Sequence, residues 1–120
     1  TYTPAATADY EKLVRLRFQN AGGAITDKPV RVEITAFFAP PKSTKKRDRI
    51  EMLANRILPE KKPDVDNVAK IILDALNKIA YKDDAQVVEL SVKKLYSEVA
   101  KVFVHIEEIE IGGDFDALAS

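Results

Sequence analysis

The chain has 120 residues, 46% of them apolar and 32% charged, which suits one globular domain with a single core and is too short for two. It contains no cysteine, so disulfides and zinc–thiolate centres are excluded and a reducing cytoplasm is the expected setting; no apolar run approaches the ~20 residues that span a bilayer, so no membrane association is expected. The net charge is zero but segregated. Between Lys42 and Lys62 stand eight basic and three acidic residues, an excess that can attract phosphate locally although the total charge does not announce a nucleic-acid protein.

Thr3-Pro4 opens the chain as a turn, and Ala5 to Asn20 is expected to be a helix, with Tyr10, Leu13, Val14 and Phe18 at three- and four-residue spacing. Gly22-Gly23 stops it. Val30 to Ala39 alternates as a strand, ended by Pro40-Pro41. A basic helix is expected from a Ser43 or Thr44 cap to about Leu58, with Ile50, Leu53, Ala54 and Ile57 as a narrow apolar stripe. The most strongly patterned helix runs from Asp66 to Ile79, its apolar face made by Val68, Ile71, Ile72, Ala75, Leu76 and Ile79, with Asp66, Lys70 and Asp74 on the polar side. After a loop over Ala80 to Gln86, Val87 to Tyr96 and Ala100 to Ile111 read as two strands joined tightly at Ser97-Glu98, a hairpin. The expected fold is α+β, a mixed β-sheet flanked by helices in a single domain over residues 1–111, with a tail over 112–120.

Chemistry concentrates in Lys62-Pro63-Asp64-Val65-Asp66-Asn67-Val68-Ala69-Lys70 and in Asp83-Asp84-Ala85-Gln86-Val87. Asp64 and Asp66 are two apart, which in an extended segment points both carboxylates to one side. Lys70 follows one turn after Asp66 on the same helix face, and the second acidic pair lies beyond the far end of that helix, in a loop able to fold back. Magnesium takes oxygen ligands and keeps several waters, so a few carboxylates suffice; phosphodiester cleavage needs a metal to activate water and offset charge at phosphorus, and a lysine to steady the phosphate. The same residues also admit a purely structural reading: Asp66 as a helix N-cap, and Asp66, Lys70 and Asp74 as a surface ion-pair stripe worth ~0.3–0.5 kcal/mol per pair.

The order and spacing of Pro63-Asp64-Val65-Asp66-Asn67-Val68-Ala69-Lys70, Leu73-Asp74-Ala75-Leu76-Asn77 and Asp83-Asp84-Ala85-Gln86-Val87 closely resemble the RusA family of Holliday-junction resolvases. The resemblance implies that Asp64, Asp66 and Asp84 are metal-binding carboxylates, that Lys70 is the catalytic lysine, and that Asp83 shares the metal role. It implies a RusA-like fold, Mg²⁺ (or Mn²⁺) as cofactor, a homodimer that cuts opposing strands of a four-way DNA junction in recombination and repair, and a cytoplasmic protein of bacterial or phage origin, often encoded by a prophage. Members generally open with a β-strand and a basic segment ahead of the Tyr-Thr-Pro turn, whereas this chain opens at the turn itself. Two other functions remain open on the residues: a magnesium nuclease of other branched DNA, and a DNA-binding or structural protein without catalysis.

For DNA contact the candidates are Lys45, Lys46, Arg47 and Arg49 on the basic helix and Lys61 and Lys62 beside the acidic motif. Lys93 and Lys94 are ambiguous. His105, the sole histidine, falls opposite Val104 and Ile106 in the strand alternation and reads as a surface group. Tyr81, Phe37 and Phe38 read as packing residues rather than as stacking platforms.

Overall fold

The computed structural model describes residues 4–110, and their side chains from residue 11 onward. The chain runs α1 (Pro4–Asn20), β1 (Val30–Phe38), α2 (Lys46–Leu53), α3 (Val65–Leu76), a 3-10 turn (Asp84–Gln86), β2 (Val87–Tyr96) and β3 (Lys101–Glu108). This is the expected α+β domain built on a mixed sheet. Thr3 and the 112–120 tail lie outside the described residues.

β1 is the centre of the sheet, whose order is β2-β1-β3. It buries every second side chain, Val30, Val32, Ile34 and Ala36, at 0 to 4% exposure. β2 runs parallel to it, with Ile34 opposite Val92; β3 runs antiparallel, with Ile34 opposite Val104. A parallel neighbour needs a long crossover, which α2 and α3 supply. The expected hairpin between β2 and β3 therefore does not form. An apolar strand buried at mid-sheet has backbone groups to satisfy on both edges, and β2 and β3 take one edge each. The chain leaving β2 passes the end of β1, where the Ser97 N–H donates to the Phe38 carbonyl at 2.9 Å.

α3 covers the inner face of the sheet. Val68, Ala69, Ile71, Ile72, Ala75 and Leu76 are all buried, and Val68, Ile72 and Leu76 join the β1 side chains in one core with Ala80 and Tyr81. Burial of each large aliphatic contributes ~1.5–3 kcal/mol. The helix ends at Leu76, three residues before the apolar pattern suggests: Asn77 is extended, Lys78 is left-handed at φ 67°, and the N–H groups of Ile79 and Ala80 both donate to the Leu76 carbonyl. α1 lies against α3, with Val14 and Phe18 packed on the core. It closes with the Gly22 N–H donating to Gln19 and the Gly23 N–H to Phe18, a Schellman end with Gly22 left-handed at φ 82° and the Phe18 ring where a Gly23 Cβ would stand.

α2 departs most from expectation. Lys45 is its N-cap, without a side-chain capping bond, so neither Ser43 nor Thr44 caps it. It ends at Leu53 rather than Leu58, because Asn55 turns left-handed at φ 61°, a conformation asparagine tolerates and a helix cannot continue through. It buries no residue; Ile50 is 55% exposed, so its narrow apolar stripe is not a core face. No helix among the described residues is long and apolar enough to cross a membrane.

Candidate active site along the polar face of α3

Asp64 is extended (φ −70°, ψ 158°) and is the N-cap of α3, with Asp66 in the first turn. The two acids thus flank the start of the helix instead of sharing one extended run, and Asp66 is not the cap. The Asp64 side chain makes no capping bond; the Val68 N–H donates to its main-chain carbonyl at 3.0 Å. That leaves the carboxylate outward, where Lys62 Nζ donates to Oδ2 at 2.9 Å, both side chains more than half exposed. The Lys62 pKa is raised by this hydrogen bond, then by the charges of Asp64 and Asp66. Both also lie at the positive end of the helix dipole. The Lys62–Pro63 peptide is cis, with Pro63 buried and Lys62, Asp64 and Asp66 exposed.

Lys70 and Asp74 follow on the exposed side of α3. Lys70 forms no ion pair within the described residues, so the stripe of Asp66, Lys70 and Asp74 is not closed by salt bridges. This weakens the structural reading of these residues: the carboxylates do not cap, and the lysine is uncommitted.

The second acidic pair is held by a different logic. Asp83 Oδ2 accepts from the Ala85 N–H at 2.9 Å, while Gln86 Oε1 accepts from the N–H groups of Asp83 and Lys82 at 3.0 and 2.8 Å, a capping box around the 3-10 turn. Gln86 Nε2 donates to the carbonyls of Thr26 and Lys28 at 3.0 and 2.9 Å, tying the turn to the segment that leads into β1. Asp83 is thereby engaged in the turn and Asp84 is the carboxylate left free. Beneath them Tyr81, fully buried, donates its hydroxyl to the Leu73 carbonyl at 2.8 Å. Burial pushes its phenol well above the usual range, and the charges of Asp84 and Asp74 add to this.

The donor chemistry fits a hard divalent cation: exposed carboxylates, two of them at one helix mouth. Among the described residues no three acidic or histidine side chains converge on one point. Magnesium commonly uses one or two carboxylates and completes its shell with water and substrate phosphate, so the Asp64/Asp66 pair satisfies that requirement without a third protein ligand already in place.

Elsewhere, Lys45, Lys46 and Arg47 are exposed and Arg49 half-buried, with no ion pair among the described residues. α2 is thus a solvent-standing basic element. Lys61 and Lys62 adjoin the acidic pair. His105 lies opposite Glu33 and 3.6 Å from the Glu107 carboxylate, on the outer face as expected. Sequence reasoning gave no role to Gln86. The pattern Asp83-x-x-Gln86 is a capping-box signature that could have pointed to Gln86.

Comparison with known proteins adds the family. The chain is 39% identical over 111 residues to the "Uncharacterized protein YqaN" of Bacillus subtilis (strain 168), an alignment covering 88% of this chain and 77% of that protein. The sequence profile described as "Endodeoxyribonuclease RusA" matches residues 1–107, and the chain belongs to the RusA endodeoxyribonuclease family.

Proposed function

We propose that the chain is a Mg²⁺-dependent, structure-specific endonuclease that resolves four-way DNA junctions by paired nicks. The observation that carries this reading is the state of α3's polar face: Asp64 and Asp66 at the helix mouth without capping bonds, and Lys70 one turn on without a partner among the described residues. Asp66 and Lys70 make no ion pair among the described residues and Asp64 only an exposed one with Lys62, which leaves them available to a metal and a phosphate.

In this mechanism Asp64 and Asp66 would begin the ion's shell and Asp84, presented by the turn that Asp83 sets, would complete it, although no three of these carboxylates converge before an ion binds. When bound, the metal supplies water activation and charge neutralisation at phosphorus. The chain's own residues do the rest. Lys70 pairs with a non-bridging phosphate oxygen and offsets the charge that grows there. Lys62 pairs with Asp64 in the free protein and stands where an entering backbone phosphate would draw its ammonium away. The basic α2 and Lys61 track flanking phosphates. A homodimer would place two such sites about a two-fold axis, matching the symmetry of a junction cut on opposing strands. A cytoplasmic setting follows from a DNA substrate.

The test is cleavage of a synthetic four-way junction, with linear duplex as control, by wild type and Asp66→Asn in Mg²⁺ and in EDTA. Symmetric nicks that need both metal and Asp66 are expected. Full activity of Asp66→Asn would remove the assignment, and equal cutting of a flap or fork would shift it to another branched substrate.

A further inference from the structure

A second feature lies next to the acidic pair but outside it. At the end of β1, two ammonium groups converge on one aromatic ring: Lys61 Nζ is 5.7 Å and Lys94 Nζ 5.8 Å from the Phe38 centroid. Lys101 Nζ stands 5.2 Å from the neighbouring Phe37 ring. The arrangement is held, because Lys94 Nζ donates to the Lys61 main-chain carbonyl at 2.6 Å. None of the three lysines forms an ion pair among the described residues. Two ammonium groups held near one ring with no carboxylate partner make a locally positive site that favours an anion.

Beside these lysines a cavity of about 230 Å³ opens between the sheet end and the first turns of α3, lined by Phe37, Phe38, Pro63, Val68, Ile71 and Val102 among others. Its wall is almost wholly apolar, with Lys101 and Ala100 at its margin. Pockets for drug-sized ligands run ~300–1,000 Å³, so this one suits a single planar ring system. An apolar slot lined by Phe38, with Lys61 and Lys94 held near that same ring, matches an apolar ring joined to a phosphate. Aromatic platforms with basic rims are how unpaired bases are held.

We infer that the Phe38 cavity with Lys61 and Lys94 is a seat for one unpaired nucleotide of the DNA substrate, base in the cavity and phosphate on the lysines. The inference rests on the reading of the chain as a nuclease of branched DNA, whose branch points can offer such nucleotides. Pro63 lines the cavity and immediately precedes Asp64, so the seat fixes which phosphate reaches the carboxylates.

The test is binding in EDTA, without cleavage, to a four-way junction carrying 2-aminopurine at the crossover. Lys94→Gln is compared with Lys93→Gln, an equal loss of charge one residue away on the opposite face of β2, where Lys93 pairs with Thr35 and Lys94 with Ala36. Lys94→Gln is expected to weaken binding about 10-fold and to lower the slope of log affinity against log salt by ~1, as one lost phosphate contact should. Lys93→Gln should do neither, and Lys94→Arg should restore both. Ala100→Phe, at an exposed position on the cavity margin, should abolish the 2-aminopurine signal while duplex affinity stays unchanged. Equal behaviour of Lys94→Gln and Lys93→Gln overturns the phosphate seat, and an unchanged 2-aminopurine signal in Ala100→Phe overturns the base site. Because metal is absent, failure here is separable from failure of the nuclease reading: a chain that captures the base yet never nicks in Mg²⁺ would keep this inference and lose the other.

Discussion

Gln86 Nε2 donates to the main-chain carbonyl of Thr26 at 3.0 Å, joining the acidic turn to a segment 60 residues earlier. With its further bonds to Lys28, Lys82 and Asp83, this one amide uses both of its protons and both lone pairs of its oxygen. A carboxylate at this position would face the Thr26 and Lys28 carbonyls with oxygen against oxygen, and an alanine would leave two N–H groups and two carbonyls to water.

Gln86→Ala is accordingly expected to cost ~1–3 kcal/mol, read by urea unfolding, and to speed amide exchange at Lys82 and Asp83. Nicking should fall further than stability does, assayed where the variant is still folded, because Asp84 loses its anchor. Gln86→Glu should be no better than Gln86→Ala. A Gln86→Ala protein with wild-type exchange at those two amides would show that the clamp does not hold the turn.

The two adjacent aspartates should separate by function. Asp83→Asn retains an acceptor for the Ala85 N–H and should keep most activity, while Asp83→Ala should lose ~1 kcal/mol of stability as a lost cap. Asp84→Asn should leave stability near wild type and reduce nicking by 10–100-fold or more, the rough scale for a disturbed metal environment. The measurement is the pair of unfolding free energy and junction cleavage rate for each variant. Asp83→Asn losing as much activity as Asp84→Asn would give Asp83 a direct share in the metal.

Core and surface helices should also respond unequally. Ile72, at 0% exposure between α3 and β1, should cost ~2–5 kcal/mol as Ile72→Ala. Ile50 on α2 is 55% exposed, and Ile50→Ala should stay within ~0.5 kcal/mol of wild type. Denaturant midpoints of the two variants decide it; equal costs would mean that α2 is packed against something in solution.

Much of this organisation could be read from the chain alone. The buried face of α3 follows from Val68, Ile72 and Leu76 at helical spacing, and β2 spans Val87–Tyr96 as expected. The α3 end was less visible: Ile79 continues the apolar pattern, but Lys78 at φ 67° breaks the helix, which local propensity does not show. The β2–β3 pairing was misread because a four-residue connection looks like a hairpin, whereas the partner of both strands is β1, far away in sequence. At the site, the spacing of the carboxylates and Lys70 fits a structural stripe as well as a metal site, and it is the family resemblance that singles them out. The anchors of the acidic turn at Thr26 and Lys28, and the meeting of Lys61 and Lys94 over Phe38, depend on tertiary contacts that no local pattern encodes.

The outer face of the sheet supplies a pH dependence. Arg31 on β1 reaches across to Glu89 on β2, and its guanidinium is 3.3 Å from Glu107 on β3. The hydrogen bond from Arg31, with its charge, holds the Glu89 carboxyl below its ordinary value of 4.5. Because the folded value is depressed, the stabilisation is fully present above the unfolded-state value and is lost as pH falls through the folded one. The window therefore opens near 4.5 and extends downward. These groups are solvent-exposed, so the effect is small and screened by salt. The expected result is that wild type is slightly more stable than Glu89→Gln at neutral pH and that the difference shrinks as pH is lowered below about 4.5. Thermal unfolding of both proteins from neutral to acid pH, at low and high salt, checks this. A difference that stays constant through the acid range would mean that Glu89 contributes by packing along the strand and not by its charge.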